Sequence, residues 1–254
     1  MKKALLFFWL FVFLIFIPFS LNACHENSSK KESTTIIFTN DELNQINSDI
    51  IHANKSNLNR IEEKDNDGDI IEIYADENGT EFIYEKNTDL LIGFNRSKDD
   101  IDNSFNNNQK TKDECEIIIK LFLSQQIDFD KYSLIEQNFS DETNLYYFYY
   151  SQKVQGYRSS DFALVYIYPT GIIKSYAARN TGIFNDILIP VINEMELDNT
   201  FQHLISSQLI NGKTFVEIQE RVLMVKENKL YMLYGYVLKD KEDYLEKNQI
   251  EIPI

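Results

Sequence analysis

The 254-residue chain sets 25 Lys and Arg against 40 Asp and Glu, a formal net charge of −15. This balance excludes binding to phosphate backbones and to anionic headgroups, both of which need a basic patch. Hydrophobic residues make up 43% and aromatics 13%, enough for one or two sizeable cores, while two cysteines and three histidines leave little material for disulfide frameworks or metal clusters.

The chain opens with Met1-Lys2-Lys3, an apolar run from Ala4 to Phe19, and a small-residue exit at Ser20-Leu21-Asn22-Ala23-Cys24. Basic start, greasy core and small exit describe a secretory signal peptide over residues 1–23. Leu21-Asn22-Ala23-Cys24 resembles the bacterial lipobox, with Leu three residues before the Cys and a small residue just before it. Asn22 departs from the small or β-branched residue preferred there. The resemblance implies cleavage between Ala23 and Cys24 and a diacylglyceryl group on the Cys24 thiol. The partner of that end is then the lipid bilayer, and the location is the extracytoplasmic face of the cell membrane. The alternative is an uncleaved signal anchor, since Ala4 to Leu21 is long enough to span a bilayer, although Pro18 interrupts it. Either way the rest of the chain lies outside the cytoplasm. Lipidation of Cys24 leaves Cys115 without a disulfide partner. The excess of Lys over Arg, with abundant Asn and Ile, points to an AT-rich, Gram-positive genome.

Residues 24–38 are mostly small, polar and charged, and read as a flexible tether. A first unit, 39–95, opens with a capping box at Thr39-Asn40-Asp41-Glu42 and a helical stripe of Leu43, Ile46 and Ile50. Strands are predicted at Ile70–Ala75, Glu81–Glu85 and Leu90–Phe94, with a hairpin at Asn78-Gly79. Arg96 to Lys110 reads as a polar linker. The unit at 111–179 repeats the capping signature at Thr111 and Glu114. Cys115, Ile118, Ile119, Phe122 and Leu123 follow on one helical face. Its strands are Tyr132–Phe139, Leu145–Lys153, Asp161–Tyr168 and Ile172–Ala178, the last pair joined by Tyr168-Pro169-Thr170-Gly171. A third unit, 194–254, has a helix to Ile210 with Leu197, Phe201, Leu204 and Ile205 inward. Strands Phe215–Lys226 and Leu230–Lys239 follow, with a short edge at Ile250–Ile252. The architecture expected is α+β: helices on antiparallel meander sheets, in two or three divergent repeats.

The densest aromatic feature is Tyr146-Tyr147-Phe148-Tyr149-Tyr150. Strand alternation places Tyr146, Phe148 and Tyr150 on one face and Tyr147 and Tyr149 on the other. Phe162, Leu164, Tyr166 and Tyr168 likewise share a face. Tyr146, Phe148, Tyr150, Tyr166 and Tyr168 make a candidate binding face for a peptide or glycan, against the plainer reading of ordinary strand composition.

The stretch "YYFYYSQKVQGYRSSDFALVYIYPTGIIKSYAA", with the helix from Asp113 to Gln126 before it, resembles the PepSY module of protease propeptides and bacterial surface proteins. The resemblance covers Thr111–Arg179, through the strand ending at Val154, Gly156, the strand Ala163–Tyr168, Gly171 and the strand Ile172–Tyr176. It implies a PepSY/cystatin-like fold without catalytic residues, associated with inhibiting or chaperoning proteases or binding envelope proteins. The strand order also resembles YycH/YycI-type extracytoplasmic regulators of a membrane sensor kinase, which keep a transmembrane helix where this chain has a lipobox.

Glu63-Lys64-Asp65-Asn66-Asp67-Gly68-Asp69 invites a calcium-loop reading, but the bidentate Glu required at the end of an EF-hand loop is Tyr74. A solvated acidic turn before a strand is the expectation there. His25, His52 and His203 form no ligand spacing, and no Gly-x-Ser-x-Gly or Cys-x-x-Cys is present. Cys115 falls at a core-facing helical position, where a free thiol behaves as a small hydrophobe. No catalytic, cofactor-binding or metal-binding residue is therefore expected. The reading is a non-catalytic lipoprotein that binds an envelope protein or peptide, with a kinase regulator and, more weakly, an envelope hydrolase as alternatives.

Overall fold

The structure is a computed structural model that describes residues 40–51, 53–66, 69–97, 109–180, 182–210, 212–227 and 229–254. The signal peptide, Cys24, the tether and the Thr39 cap lie outside the described residues, as do His52, Asp67, Gly68 and most of the 96–110 linker.

In chain order the elements begin with α1 (Asn40–Ile51), a 3-10 turn (Lys55–Asn57), β1 (Asn59–Asn66), β2 (Asp69–Ala75), β3 (Glu81–Glu85) and β4 (Leu91–Asn95). Then come α2 (Lys112–Gln126), a second 3-10 turn (Phe129–Lys131), β5 (Tyr132–Ser140), β6 (Leu145–Val154), β7 (Tyr157–Ile167) and β8 (Ile173–Arg179). The chain finishes with α3 (Ile183–Asp186), α4 (Glu194–Ile210), β9 (Thr214–Lys226), β10 (Lys229–Lys239) and β11 (Leu245–Pro253). The class is α+β, dominated by antiparallel pairing.

Local chemistry accounts for the main boundaries. Thr111 caps α2 by accepting from the Glu114 N–H, while the Glu114 carboxylate accepts from the Thr111 N–H at 2.6 Å. That carboxylate is held below its ordinary range, chiefly by the Thr111 backbone N–H. The Cys115, Ile118, Ile119, Phe122 and Leu123 stripe is buried throughout. At the β7–β8 turn, Gly171 takes φ +91° and its N–H reaches Tyr168 O at 2.9 Å; Asp76 to Thr80 uses Gly79 in the same way. A two-residue turn, with Gln155 and Gly156 both at positive φ, joins β6 to β7.

The strands run β1-β2-β3-β4-β8-β7-β6-β5, all antiparallel, so that strands from the first two predicted units form one continuous sheet. One core serves both: Leu43 and Ile50 of α1 and the apolar stripe of α2 lie over Phe82, Phe94, Tyr176, Val165 and Phe148. These five occupy directly opposed positions across β3, β4, β8, β7 and β6. A second core is made by Leu197, Phe201 and Ile205 of α4 with Leu223, Met232, Tyr234 and Tyr236. Strand β9 joins β7 in parallel through Arg158↔Val222 and Ser159↔Leu223, and β10 and β11 follow outward. All the described residues fall within one compact unit, Ile37–Ile254; the other, Met1–Ile36, lies outside them.

Several expectations are corrected. The acidic stretch Glu63–Asp65 is strand, part of β1, rather than a turn. Leu204 points outward at 41% exposure, because the burial of Phe201 and Ile205 turns it from β10. Arg96, read as linker, is 6% exposed and is one of the most tightly held side chains.

Arg96 donates from Nε to Ile173 O at 2.8 Å and pairs with Asp49 at 2.5 Å. Its Nη2 also reaches Asn47 Oδ1 at 3.2 Å. Asn47 is fully buried at a non-helical point inside α1 (φ −125°, ψ 27°). Its Oδ1 accepts from the Ile173 N–H at 3.0 Å, and its Nδ2 donates to Gly171 O at 3.2 Å. The interruption in α1 thus places an amide side chain against the backbone that opens β8.

Candidate binding face of the sheet

Because directly opposed residues share a face, register sorts the aromatic residues. Phe148 opposes Val165 and Tyr150 opposes Ala163, so the Tyr146, Phe148 and Tyr150 set points to the helices. Phe148 and Tyr150 are fully buried, and Tyr146 packs half-buried at the edge of the same core. Tyr166 opposes Tyr147 and lies on the other face; Tyr168 sits beyond the end of β7, in the turn closed by its own N–H and the Ile172 carbonyl at 2.9 Å. The five residues Tyr146, Phe148, Tyr150, Tyr166 and Tyr168 are therefore not one face. The reason is geometric: alternation within each strand is readable, whereas the relative phase of two strands is set by their hydrogen-bond register.

What the register does assemble is a different aromatic group. Tyr147 and Tyr149 of β6 lie beside Phe162 and Tyr166 of β7, with ring centroids 6.0 Å apart in both the Tyr147–Tyr166 and Tyr149–Phe162 pairs. All four rings are half-buried. Tyr147 donates to the Glu136 carboxylate across to β5, and burial together with that acceptor raises its phenol well above the usual value. Burial also raises Tyr166. Arg158 stands 5.1 Å over the Tyr149 ring, and its Nη2 donates to the Tyr149 hydroxyl at 3.0 Å.

The aromatic group continues toward β4 through small residues: Tyr166 opposes Ser175, Leu164 opposes Ala177, and Ala177 opposes Gly93. Close approach accounts for that glycine, since a Cβ at Gly93 would meet Tyr176 O at 3.1 Å. The α1 and α2 residues that build the first core lie on the Phe148 side. Leu223, beside α4, opposes Ser159 and so continues that same side. The Tyr147–Tyr166 side is opposite.

Towards β9 the group ends at a notch. Strands β7 and β9 touch through two residue pairs and then diverge, leaving a groove of roughly 510 Å³ between Gly156–Arg158 and Ile218–Arg221. Arg158 pairs with Glu220 at 3.5 Å on one side of the sheet. On the other, Arg221 binds both Asp198 carboxylate oxygens at 2.9 Å, and Tyr157 donates to Glu194 at 2.5 Å. Both guanidinium groups are committed to carboxylates, which makes the notch an ion-paired seam. Among the described residues, no group of three or more His, Cys, Asp or Glu side chains is placed to hold a metal ion. Cys115 is a buried free thiol, pushed up to about 12 by burial.

No family model matches the chain, and no curated relative matches it. Among solved structures it is similar to the C-terminal domain of YpeB from Bacillus megaterium. The match has 13% identity, covers 84% of this chain and 99% of that one, and has a TM-score of 0.39.

Proposed function

We propose that the protein is a non-catalytic, extracytoplasmic binding module, anchored to the membrane through Cys24, that engages an envelope protein or peptide. The observation that supports this is the half-buried group of Tyr147, Tyr149, Phe162 and Tyr166 on the sheet face opposite α1 and α2. Amphipathic aromatic side chains on a rigid sheet offer large contact area at small entropic cost, as protein-recognition surfaces do.

A photo-crosslinking residue placed at Tyr147 or Phe162 in intact cells tests this reading, with Lys120 on α2 as the control position. A discrete protein adduct is expected from the face and not from the control. Adducts of equal yield from all three positions would overturn the reading. Cys24→Ala is expected to abolish lipid labelling and release or stall the protein; unchanged membrane retention at full signal length would instead show an uncleaved anchor.

A further inference from the structure

Among the described residues the sheet has three terminal strands, β1, β5 and β11, and their compositions differ in a way that matters for pairing. An edge exposes unpaired main-chain groups, and charges or proline along it discourage added strands. Strand β1 carries Arg60, Glu62, Glu63, Lys64 and Asp65. Strand β11 carries Glu246, Lys247 and Glu251 and closes on Pro253. Strand β5 (YSLIEQNFS) has Glu136 as its one charged residue. A bulge between Leu134 and Glu136 breaks its register early, leaving Glu136 to Ser140 regular. In that stretch Phe139 is 37% exposed and packs against Tyr146 with tilted rings, centroids 4.7 Å apart. The Phe139 N–H is held by the Asn138 side-chain oxygen at 2.8 Å, a local cap that a neighbouring strand's carbonyl can replace.

The charge around this edge is net negative. Asp128 and Asp130 precede β5, Asp141 and Glu142 follow it, and the cation among them, Lys131, is paired with Asp128 at 2.6 Å. Pairing the whole of β5 (Tyr132–Ser140) with a second copy of itself sets Glu136 against Glu136 in both directions, and Asp130 against Glu142 when antiparallel. A cationic strand meets no such penalty. Phe139 shares the helix side with Tyr146, while Glu136 and Asn138 share the side of Tyr149 and Tyr147. A complementary strand therefore alternates apolar residues, against Phe139, with cations, against Glu136.

We infer that Glu136–Ser140 of β5 takes up an extended cationic segment of a partner protein, which adds to the sheet as a further strand. This rests on the protein-binding reading above and specifies where and what it binds. The test uses the full chain in detergent and three short peptides: one alternating lysine with valine, the same peptide N-methylated on alternate residues, and one with glutamate for lysine. Calorimetry is expected to show binding of the first and at least about tenfold weaker binding of the other two, with amide-exchange protection gained at Glu136 to Ser140. Glu136→Gln, which removes the charge and keeps an acceptor oxygen for the Tyr147 hydroxyl, is expected to weaken the lysine peptide by about tenfold with unchanged thermal stability. Equal binding of the N-methylated peptide, no binding of any peptide, or concentration-dependent β5 protection without peptide would each overturn the inference. Protection confined to Tyr147, Phe162 and Tyr166 would overturn it too, while leaving the broader binding role standing.

Discussion

Asn47 and Tyr176 are both buried polar residues of the first core, and they represent opposite energetic situations. Asn47 has three partners, Ile173 N–H, Arg96 and Gly171 O, and its removal strands the Ile173 N–H and Gly171 O away from water. The hydroxyls of Tyr84, Tyr150 and Tyr176 have no hydrogen-bond partner among the described residues. Asn47→Ala is therefore expected to destabilise by about 2–3 kcal/mol. Tyr176→Phe removes an unsatisfied group and is expected to change stability by less than about 1 kcal/mol, in the stabilising direction. Paired urea titrations of the two variants check this contrast; equal losses would contradict it.

At the scale of elements, the β7–β8 hairpin and α2 depend on each other. Lys110 N–H donates to Pro169 O at 2.6 Å, and the Gly171 Cα faces Lys110 and Ile118 so closely that a Cβ would lie 2.7 Å from the Lys110 side chain and 3.0 Å from Ile118. Gly171→Ala thus meets both a positive φ and a steric conflict, and is expected to cost about 1–3 kcal/mol by thermal unfolding. Gly156→Ala is the comparison: its φ is also positive, yet a Cβ there meets nothing within 4 Å, so its loss should be the smaller. Elements of this kind were legible beforehand. The Thr111–Glu114 box, the α2 stripe and both glycine turns rest on contacts within a few residues. Strand β1 was not legible: Glu62-Glu63-Lys64-Asp65 reads as solvated, and what makes it a strand is pairing with Ile73, Glu72, Ile71 and Ile70 of β2. Ion pairs of Arg60 with Glu72 at 3.0 Å and Lys86 with Glu63 at 3.0 Å then settle its charges.

For the whole molecule, titration sets limits on both sides of neutrality. Glu63 and Glu72 are held below their ordinary value of 4.5, chiefly by Lys86 and Lys55 respectively, and Glu114 by its capping role. In the unfolded chain these groups bind protons first as pH falls, so their contribution is present above about 4.5 and is lost below it. On the alkaline side burial raises Cys115 from 9.0 to about 12, and Tyr157 from 10.0 to about 12. Tyr132, Tyr150 and Tyr176 are raised by the same cause. These groups stay protonated in the fold after the unfolded chain has lost its protons, so their contribution is present below about 9–10 and disappears as pH climbs through the folded values. Thermal melts across pH should show a plateau from about 5 to about 9 with decline on both sides. A melting temperature still rising at pH 10 would contradict the alkaline limb.

The sequence alone determined the α+β class, the order of the long helices and strands after the first hairpin but not the short α3, the inward stripe of α2, and the two faces of each aromatic strand. It also carried the reading of an exported, lipid-anchored chain, which concerns residues outside those described. These features are local: they follow from periodicities and caps that a few neighbouring residues define. Tertiary structure alone decided that Tyr147 lies beside Tyr166 rather than Tyr146 beside it. It also decided that Arg96 leaves the linker for the core, that α1 breaks at Asn47, and that β9 joins β7 in parallel. Each of these depends on which distant backbone groups hydrogen-bond to one another, and a one-residue change of register would reverse the faces without altering any local signal.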